Sequence, residues 1–506
     1  MLKKILLLML AMTLSRVSAN LTTAAEAAID ANSLMSIVPK ENPYHPGETL
    51  AIHKGLPTDC WPQLANTPQR TSYTPMKFDP PQGQKKWSVY MRSIDFDNRM
   101  NPTVQPIVAE GRVYVGCKSG KFYALDAKTG EVKWMFQAGG AICHTAGYYK
   151  GRVMVAALDG CVYAVNAATG QLEWIFSDRN SDRRRHGFST AVLLAEDRIF
   201  AVDRGGRLFA LNPGDGKEIW HYDAGAPTDQ SPAYDAGKVF FASEDMRVHA
   251  VRSADGAGLW KSEQLAGLSF RSFHPVVMGG KVIVRALCSY GGITDNTDPA
   301  QRNLFALDEE TGKESIVLKQ KSMGHDGNQP PPAITRDGLL IVQMNVIPVP
   351  KDYGWTDTSL FWALEDLKTQ EIVMPLLETE KRPPNKNVGF PVQSGIAGTW
   401  CTNENAITSV IGEIVMTVHP LGIYFGPCQM GGAFDLAKRR WHVDVNGHLP
   451  DGDGKGPRGW VSYGGDGNEC GGADAVSAAD GLLYHLSIRT HMLTCYEPMQ
   501  PSTIEK

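Results

Sequence analysis

The stretch between Gly111 and Gly170 contains the same pattern twice. GRVYVGCKSGKFYALDAKTGEVKWMF (Gly111–Phe136) is followed forty residues later by GRVMVAALDGCVYAVNAATGQLEWIF (Gly151–Phe176). Each copy holds three short runs rich in β-branched and aromatic residues, with turn signals between them. One such unit has an apolar face that it cannot bury alone, so copies must stack on one another. A period near forty with several strands per copy predicts the blades of a β-propeller.

A turn with a definite chemistry closes each copy. In Asp126–Gly130 the Asp side chain can accept backbone N–H groups, and the Gly supplies a positive φ. Trp134 then begins the next strand, and we expect its ring to wedge between neighbouring sheets. The turn recurs, with substitutions, at Asn166–Trp174, Asn212–Trp220, Ser253–Trp260 and Asp308–Ile316.

The later copies are more divergent. Leu360–Gln370 gives a sixth, Ala433–Trp441 a seventh, and Gly481–Tyr496 the inner strands of an eighth that lacks its outer strand. The missing strand lies upstream, because Lys85–Tyr90 matches the strand around Trp134. Such a strand closes the ring and removes its free edges. The predicted fold is all-β: an eight-bladed β-propeller of four-stranded antiparallel blades, closed by an N-terminal strand, with seven blades as the alternative.

The first residues are typical of a secretory signal. Lys3 and Lys4 precede the apolar run Ile5–Leu14, and Val17–Ala19 offers the small residues of a cleavage site. The run is too short to span a bilayer, and we expect no transmembrane segment elsewhere. We therefore expect a periplasmic or secreted protein. Its predicted parts are a signal peptide (1–19), an N-terminal extension (20–84), the propeller (85–498) and a C-terminal tail (499–506).

The charge of the chain bears on its partners. Loss of the signal removes Lys3, Lys4 and Arg16 from a formal net charge of −4, which leaves −7. This mild acidity disfavours a nucleic acid or an anionic membrane surface. We expect an envelope protein or another extracytoplasmic ligand as partner, and the oligomeric state stays open.

All nine cysteines lie after the signal. Export favours disulfides, although an odd number leaves at least one thiol without an intrachain partner. The chain has no Cys-x-x-Cys-His motif, which argues against an attached c-type haem. It also has no Cys-x-x-Cys motif, which disfavours a zinc ribbon.

The repeat resembles that of a known family. Copies ending A-x-D-x-x-T-G-x-x-x-W, as in Ala124–Trp134, resemble the pyrroloquinoline-quinone (PQQ)-like repeat, and Cys60–Arg70 is similar to the Trp-Pro…Arg segment before such propellers. The resemblance covers about residues 60–498 and implies one of two branches. Quinoprotein dehydrogenases hold the quinone and a calcium ion on the ring axis. The other branch, exported propellers similar to the scaffold lipoprotein of outer-membrane barrel assembly, has no known catalysis.

Ligands of a propeller are expected at its axis, where the innermost strands begin. Most polar residues there would serve as rim groups or strand-end caps. The candidates that precede innermost strands are Gln105, Cys143, His144, His186, Gln230, Arg271, His274, His325, Asn328, Asn403, Glu404, Asn405, Glu469 and Cys470.

The dehydrogenase branch makes specific demands on these residues. Calcium needs hard oxygen ligands, alcohol oxidation needs a carboxylate base, and a cation would polarise the quinone oxygen. Glu404 and Glu469 are the candidate catalytic carboxylates. The candidates for cofactor binding are Arg271, His144, His274 and Asn405.

The adjacent cysteine pair expected of a quinoprotein dehydrogenase is absent from this sequence. Dehydrogenases similar to this repeat commonly carry two adjacent cysteines beside the cofactor, and this chain has no Cys-Cys pair. We therefore predict a non-catalytic binding or scaffold protein of the cell envelope, with no cofactor. The alternative is a PQQ- and calcium-dependent dehydrogenase that oxidises an alcohol or sugar.

Three segments depart from the repeat: Ser289–Arg302, Ile347–Thr358 and Gly447–Gly472. The last has an Asp-Gly-Asp-Gly run, but Lys455 and Ser462 occupy ligand positions of an EF-hand, so we predict no metal site there. Long insertions in repeat proteins usually share one face and often form the binding surface, although plain loop variation explains them equally well. Their aromatic residues leave a carbohydrate-binding propeller as a third hypothesis.

Overall fold

The structure is a computed structural model that describes the blades and part of the N-terminal extension. The described residues are 41–78, 85–91, 104–177, 187–270, 273–287, 293–295, 302–316, 321–323, 331–347, 359–376, 397–398, 407–418, 430–442, 461–462, 474–487 and 492–497. In its described residues the extension has a 3-10 turn, Ala51–His53, and a short strand β1 (Tyr73–Thr74). Strand β2 (Lys85–Tyr90) follows it.

Four antiparallel strands build each of the first four blades, and they follow the repeat in chain order. Blade 1 is β3 (Ile107–Ala109), β4 (Arg112–Gly116), β5 (Lys121–Asp126) and β6 (Val132–Gln137). Blade 2 is β7 (Gly147–Tyr149), β8 (Arg152–Ala157), β9 (Cys161–Asn166) and β10 (Leu172–Ser177). Blade 3 is β11 (Leu193–Ala195), β12 (Arg198–Val202), β13 (Arg207–Leu211) and β14 (Glu218–Asp223). Blade 4 is β15 (Ala233–Asp235), β16 (Lys238–Ser243), β17 (Arg247–Arg252) and β18 (Gly258–Lys261).

The later blades keep the four-stranded plan and add short strands. Blade 5 is β19 (Val276–Met278), β20 (Lys281–Arg285), β22 (Leu304–Asp308) and β23 (Glu314–Ile316), and β21 (Ile293–Asp295) pairs separately with β24 (Lys321–Met323). Blade 6 is β25 (Ala333–Ile334), β26 (Leu339–Ile347), β27 (Ser359–Asp366) and β28 (Glu371–Pro375), with β29 (Ala397–Gly398) beside β27. Blade 7 is β30 (Ser409–Ile411), β31 (Ile414–Val418), β32 (Met430–Asp435) and β33 (Arg440–His442), with β34 (Val461–Ser462) beside β32.

Blade 8 joins the two ends of the propeller. Its inner strands are β35 (Asp474–Ala479), β36 (Leu482–Ser487) and β37 (Met492–Tyr496). Its outer strand is β2, which pairs antiparallel with β37 and places Trp87 opposite Cys495. The prediction of eight four-stranded blades closed by an N-terminal strand is confirmed.

The Asp–Gly turn and the Trp of the preceding blade connect neighbouring blades at five junctions of the ring. Asp126 Oδ1 accepts the N–H groups of Lys128 and Thr129, each at 3.0 Å. The indole Nε1 of Trp134 donates to Ala167 O, in the next blade's turn, at 3.0 Å. The same bond to the following blade is made by Trp87 to Ala127 O, Trp174 to Pro213 O, Trp220 to Ser253 O and Trp260 to Glu309 O. The predicted wedging of Trp134 between sheets therefore holds around much of the ring.

A β-bulge prepares this contact. In blade 1, Ala124 faces Trp134 while its neighbour Leu125 faces Val132, so the outer strand has one extra residue just before the indole. Such a bulge re-aims the following side chain. Equivalent register shifts precede Trp87, Trp174, Trp220 and Trp260.

The apolar core lies between blades rather than within one. One cluster joins Ile107 and Phe122 of blade 1 to Val153 and Val155 of blade 2, all with 0% exposure. Similar clusters lie between other neighbouring blades. Each blade is therefore stabilised by the next, as expected for a repeat that cannot bury its own faces.

The disulfide prediction finds no support among the described cysteines. Cys60, Cys143 and Cys495 are free thiols. Four further cysteines, Cys288, Cys401, Cys428 and Cys470, lie outside the described residues.

Candidate functional site

The two faces of the ring differ in their connections. In every blade the turn from the first to the second strand lies on one face, which we call the capped face. The opposite face, called the open face, carries the connections from the second to the third strand and from each blade to the next. Segments 286–303, 348–358, 376–408 and 443–473 all leave from strand ends on the open face. The described strand ends that flank the three insertions therefore lie on one face of the ring.

Residues 58–74, which we call the axial strap, run around the axis on the capped face and hydrogen-bond every blade in turn. The contacts, beginning with blade 8, are Asp480 N to Thr58 O, Trp61 N to Val108 O, Tyr148 N to Pro62 O, Leu194 N to Gln63 Oε1, Tyr234 N to Pro68 O, Val277 N to Gln69 O, Ile334 N to Thr71 O and Val410 N to Ser72 O. Strand β1, the end of the strap, lies parallel to β30. The free inner edges of the blades are thus paired by the N-terminal extension.

The residues before the strap extend this cover over blades 6 and 7. Gly47 N donates to Asp337 Oδ2 at 2.8 Å, and Tyr44 Oη donates to Glu413 Oε2 at 2.6 Å. Asp337 and Glu413 both lie in turns of the capped face. The described extension therefore occupies this face near the axis.

Arg70 is the central side chain of the strap. It has 0% exposure, and its guanidinium donates to Pro232 O at 2.9 Å, Leu64 O at 2.8 Å and Val192 O at 3.2 Å. These carbonyls belong to the entry to blade 4, to the strap itself and to the entry to blade 3. Burial lowers the pKa of Arg70 to about 9, so it remains a cation at neutral pH.

Two predicted axis residues lie near Arg70. His144 and His274 are each 4% exposed. Burial holds the pKa of His274 well below its ordinary value, and the charges of Arg70 and His144 lower it further. His274 is therefore neutral at pH 7, and His144 Nδ1 accepts the N–H of Thr145 at 2.8 Å.

Polar groups at the start of the innermost strands join neighbouring blades. The amide of Gln105 accepts Ala65 N–H at 2.7 Å and donates to Val476 O at 2.8 Å, so it links the strap, blade 1 and blade 8. The remaining bonds of this kind are Gln105 N to Thr145 Oγ1, Ala191 N to Ser231 Oγ, Ser409 Oγ to Val476 O and Ser477 Oγ to Pro106 O. One predicted axis residue, Gln105, thus holds the ring together, alongside hydroxyl groups that were not predicted.

The other predicted site residues are divided between described and undescribed parts. Gln230 is described and has 0% exposure, and the amide atoms of its side chain have no hydrogen-bond partner. Arg271, Glu404, Asn405 and Glu469 lie outside the described residues, as do His186, His325, Asn328, Asn403 and Cys470. The structure therefore brings together His144 and His274 but does not test the candidate carboxylates.

On the described part of the open face, a small polar group surrounds Cys143. Arg204 Nε lies 3.3 Å from Asp229 Oδ1, which also accepts Ser189 Oγ–H at 2.7 Å. Burial raises the pKa of the Cys143 thiol, and the charges of Lys118 and Arg204 oppose that rise. The thiol is protonated at neutral pH, so it is a poor nucleophile.

The described axis residues, taken without Arg271, Glu404, Asn405 and Glu469, do not by themselves supply a calcium site. Calcium needs several oxygen ligands, whereas the charged and ring groups at the strap are Arg70, His144 and His274. The amide oxygen of Gln105 is already engaged by the strap. Within the described ranges no three His, Cys, Asp or Glu side chains are placed to hold a metal ion.

Sequence reasoning did not foresee the role of Arg70. The Trp-Pro…Arg segment marked the family resemblance, but its spacing does not reveal that the segment encircles the axis. The available signal was the segment's position before the first blade; only the structure reveals that its polar residues, among them Gln63, Asn66, Thr67 and Arg70, are buried.

Eight four-stranded blades, five of them joined to the next by a Trp that docks on its turn, define a β-propeller of PQQ-like repeats. A family model described as outer membrane protein assembly factor BamB matches residues 76–233 and 223–345, more than half of the chain. The chain belongs to this family.

Curated relatives match parts of the chain. A quinoprotein ethanol dehydrogenase of Pseudomonas aeruginosa is 29% identical over 158 residues, which are 29% of this chain and 25% of that protein. The outer membrane protein assembly factor BamB of Alkalilimnicola ehrlichii is 26% identical over 179 residues, 35% of this chain and 37% of that protein. The chain thus spans 25% of the first relative's length and 37% of the second's.

Solved structures share the fold. The quinohemoprotein alcohol dehydrogenase of Comamonas testosteroni superimposes with a TM-score of 0.57 at 11% identity, covering 90% of this chain and 84% of that one. A europium-containing methanol dehydrogenase gives a TM-score of 0.53 at 13% identity over 86% and 90% of the two chains. At these identities the likeness concerns the propeller alone.

Helices contribute little to the described structure. None of the helices in its described ranges has the length and apolar character needed to cross a membrane.

Proposed function

We propose that this chain is an exported, non-catalytic propeller of the cell envelope that binds a protein partner through its open face. Residues 1–19 act as the signal peptide and place the protein in the periplasm or outside the cell. Residues 20–84 form the N-terminal extension, 85–498 the propeller and 499–506 the tail. The family description, an outer membrane protein assembly factor, supports an envelope partner.

The observation that carries this proposal is the use of the axis for packing. Gln105, which an axial cofactor would be expected to contact, is engaged by the strap and by blade 8. Arg70 is engaged by three carbonyl groups. Groups that hold blades together are not available to bind and release a substrate, so recognition falls to the open face and its long connections.

Affinity capture tests the proposal. The tagged chain without residues 1–19 is immobilised and incubated with a detergent extract of the envelope of its own host. We expect one defined envelope protein to be retained in a fixed ratio to the bait, and the same pair to reassemble from purified components. Failure of the purified components to associate at micromolar concentration would remove the main support for a scaffold.

A second candidate is a PQQ- and calcium-dependent dehydrogenase of an alcohol or sugar. The identity to quinoprotein ethanol dehydrogenase favours it. In this proposal Glu404 or Glu469 acts as the base, and Arg271, Asn405, His144 and His274 contribute to the cofactor site. PQQ supplies the two-electron acceptor when bound.

Reconstitution separates the two candidates. PQQ and calcium are added to the purified chain, and quinone absorbance and dye reduction are followed with simple alcohols and sugars. The scaffold proposal predicts no saturable quinone binding. Binding of one quinone per chain that is abolished by Glu404→Ala or Glu469→Ala would replace it with the dehydrogenase.

A further inference from the structure

We propose that the axial strap, residues 58–74, is a lock that couples all eight blades and is released as a single unit, with Arg70 as its central anchor. In an ordinary repeat array each repeat contacts only its neighbours, so stability is transmitted from one to the next. The strap is different because it contacts blades 8, 1, 2, 3, 4, 5, 6 and 7 in succession. Blades on opposite sides of the ring are therefore connected through it.

The anchoring role of Arg70 follows from its contacts. Its guanidinium reaches Leu64 O in the first half of the strap, Val192 O before blade 3 and Pro232 O before blade 4. If the Arg70 side chain were replaced by an apolar one, all three buried carbonyl groups would lose the guanidinium N–H that they accept. Buried polar groups without a hydrogen bond lower the free energy of unfolding. One side chain thus fixes the strap to itself and to two blades.

The backbone of the strap needs its surroundings to keep its shape. Four residues other than glycine have left-handed φ values: Ala65 at 54°, Asn66 at 63°, Arg70 at 62° and Ser72 at 56°. Such conformations persist only where neighbouring contacts determine them.

The contacts that determine this backbone link distant parts of the strap. Ser72 N–H reaches back to Ala65 O at 2.9 Å, and Asn66 Nδ2 donates to Tyr73 O at 2.7 Å. Thr67 Oγ1 accepts Thr71 N–H at 3.0 Å. Because the strained residues and their partners lie within one closed loop, losing the anchor releases the whole loop rather than one end.

Hydrogen exchange measured by mass spectrometry on the full chain tests the proposal. The informative amides are five of those that donate to strap carbonyls: Tyr148, Tyr234, Val277, Ile334 and Val410. In Arg70→Met we expect all five to exchange at least tenfold faster and by a similar factor. The decisive amide is Val410, since it lies in blade 7 while the Arg70 contacts lie at blades 3 and 4.

The control is Arg252→Met, which removes an exposed ion pair with Asp255 in blade 4 and should change none of these rates. Acceleration confined to blades 3 and 4 would show local packing and overturn the lock. Equal acceleration in outer strands such as Val132–Gln137 would mean general destabilisation and would overturn it as well.

A milder variant keeps the test available if Arg70→Met does not fold. Gln69 Nε2 donates to Asp235 Oδ1 at 2.9 Å, in a partly buried position at the blade 4 side of the strap. In Gln69→Ala we expect a two- to fivefold acceleration that again includes Val410. Unchanged exchange at Val410, with faster exchange at Tyr234, would contradict release as a unit.

Discussion

Gly170 lies in the turn of blade 2 against the indole ring of Trp134 in blade 1. Its φ is +76°, and an added Cβ would lie 2.7 Å from Trp134 Cδ2. Gly170→Ala therefore combines an unfavourable backbone with a clash that displaces the indole from Ala167 O. We expect a loss of about 2–4 kcal/mol in the free energy of unfolding, measured by guanidinium titration.

Gly151 provides the matched control for this substitution. Its φ is +80°, yet an added Cβ would meet no atom within 4 Å. Gly151→Ala should lower the free energy of unfolding by about 1 kcal/mol, the backbone part alone. Equal losses in the two variants would mean that the contact between Trp134 and the neighbouring turn contributes nothing.

His249 gives a residue-level prediction about pH. It is fully buried between Ser243 Oγ at 2.8 Å and Tyr222 Oη at 3.1 Å, and burial lowers its pKa to about 4 from 6.5. Between these values the unfolded chain binds a proton that the folded chain does not. The free energy of unfolding should therefore fall as the pH drops from about 6.5 to 4, by up to about 1.4 kcal/mol per pH unit for this group.

The variant His249→Gln isolates that contribution. Glutamine keeps a polar group between Ser243 and Tyr222 but does not titrate. We expect the free energy of unfolding to depend less steeply on pH over this interval, by the equivalent of up to one bound proton, or about 1.4 kcal/mol per pH unit. Urea titrations at pH 4.5, 5.5 and 6.5 would measure it, and identical slopes in both proteins would exclude His249 as the source.

At the residue scale, sequence reasoning succeeded where one pattern recurs. The roles of Asp126 and Trp134 could be predicted because the turn chemistry is local and repeated. Arg70 could not, since its partners Val192 and Pro232 are more than a hundred residues away in the chain and occur once. Spacing along a sequence identifies repeats, but it does not identify which side chain occupies their common axis.

At the element scale, the closing strand is the informative case. The match of Lys85–Tyr90 to the strand around Trp134 predicts it as the outer strand of blade 8, and it pairs with β37 as predicted. We expect the double variant Trp87→Asp, Val89→Asp to weaken the pairing of β2 with β37. Both side chains are partly buried against the core between blades 8 and 1, where a carboxylate would lose its hydration. Amides of Met492–Tyr496 should exchange at least tenfold faster, while those of Arg198–Val202 in blade 3 should not change.

A matched double variant supports the interpretation of that experiment. Met135 and Ile175 belong to outer strands of blades 1 and 2 and are 47% and 49% exposed. Met135→Asp/Ile175→Asp should leave exchange in Met492–Tyr496 unchanged. If both double variants accelerated the same amides, the effect would come from added charge and not from the closing strand.

At the scale of the whole molecule, the fold was predictable and the binding surface was not. Eight blades follow from eight copies of one repeat. The open face carries connections that share no repeat, and the candidate carboxylates Glu404 and Glu469 lie outside the described residues. Strand direction separates the open face from the capped face. Arg204 follows the second strand of blade 3 and therefore lies on the open face, whereas Lys150 follows the first strand of blade 2 and lies on the capped face.

These two residues allow the open face to be tested as the partner surface. The side chains of Arg204 and Lys150 are 49% and 68% exposed, and each pairs with an exposed Asp, so both substitutions reverse one surface charge at little cost to the fold. If a partner docks on the open face, Arg204→Glu should weaken its binding about tenfold, whereas Lys150→Glu should leave it within twofold, as measured by surface plasmon resonance with the purified pair.

Because rim charges act mainly on association, the loss with Arg204→Glu should appear in the on-rate and shrink at high salt. The opposite ranking would place the partner on the capped face, over the N-terminal extension, and would contradict the proposed mode of binding.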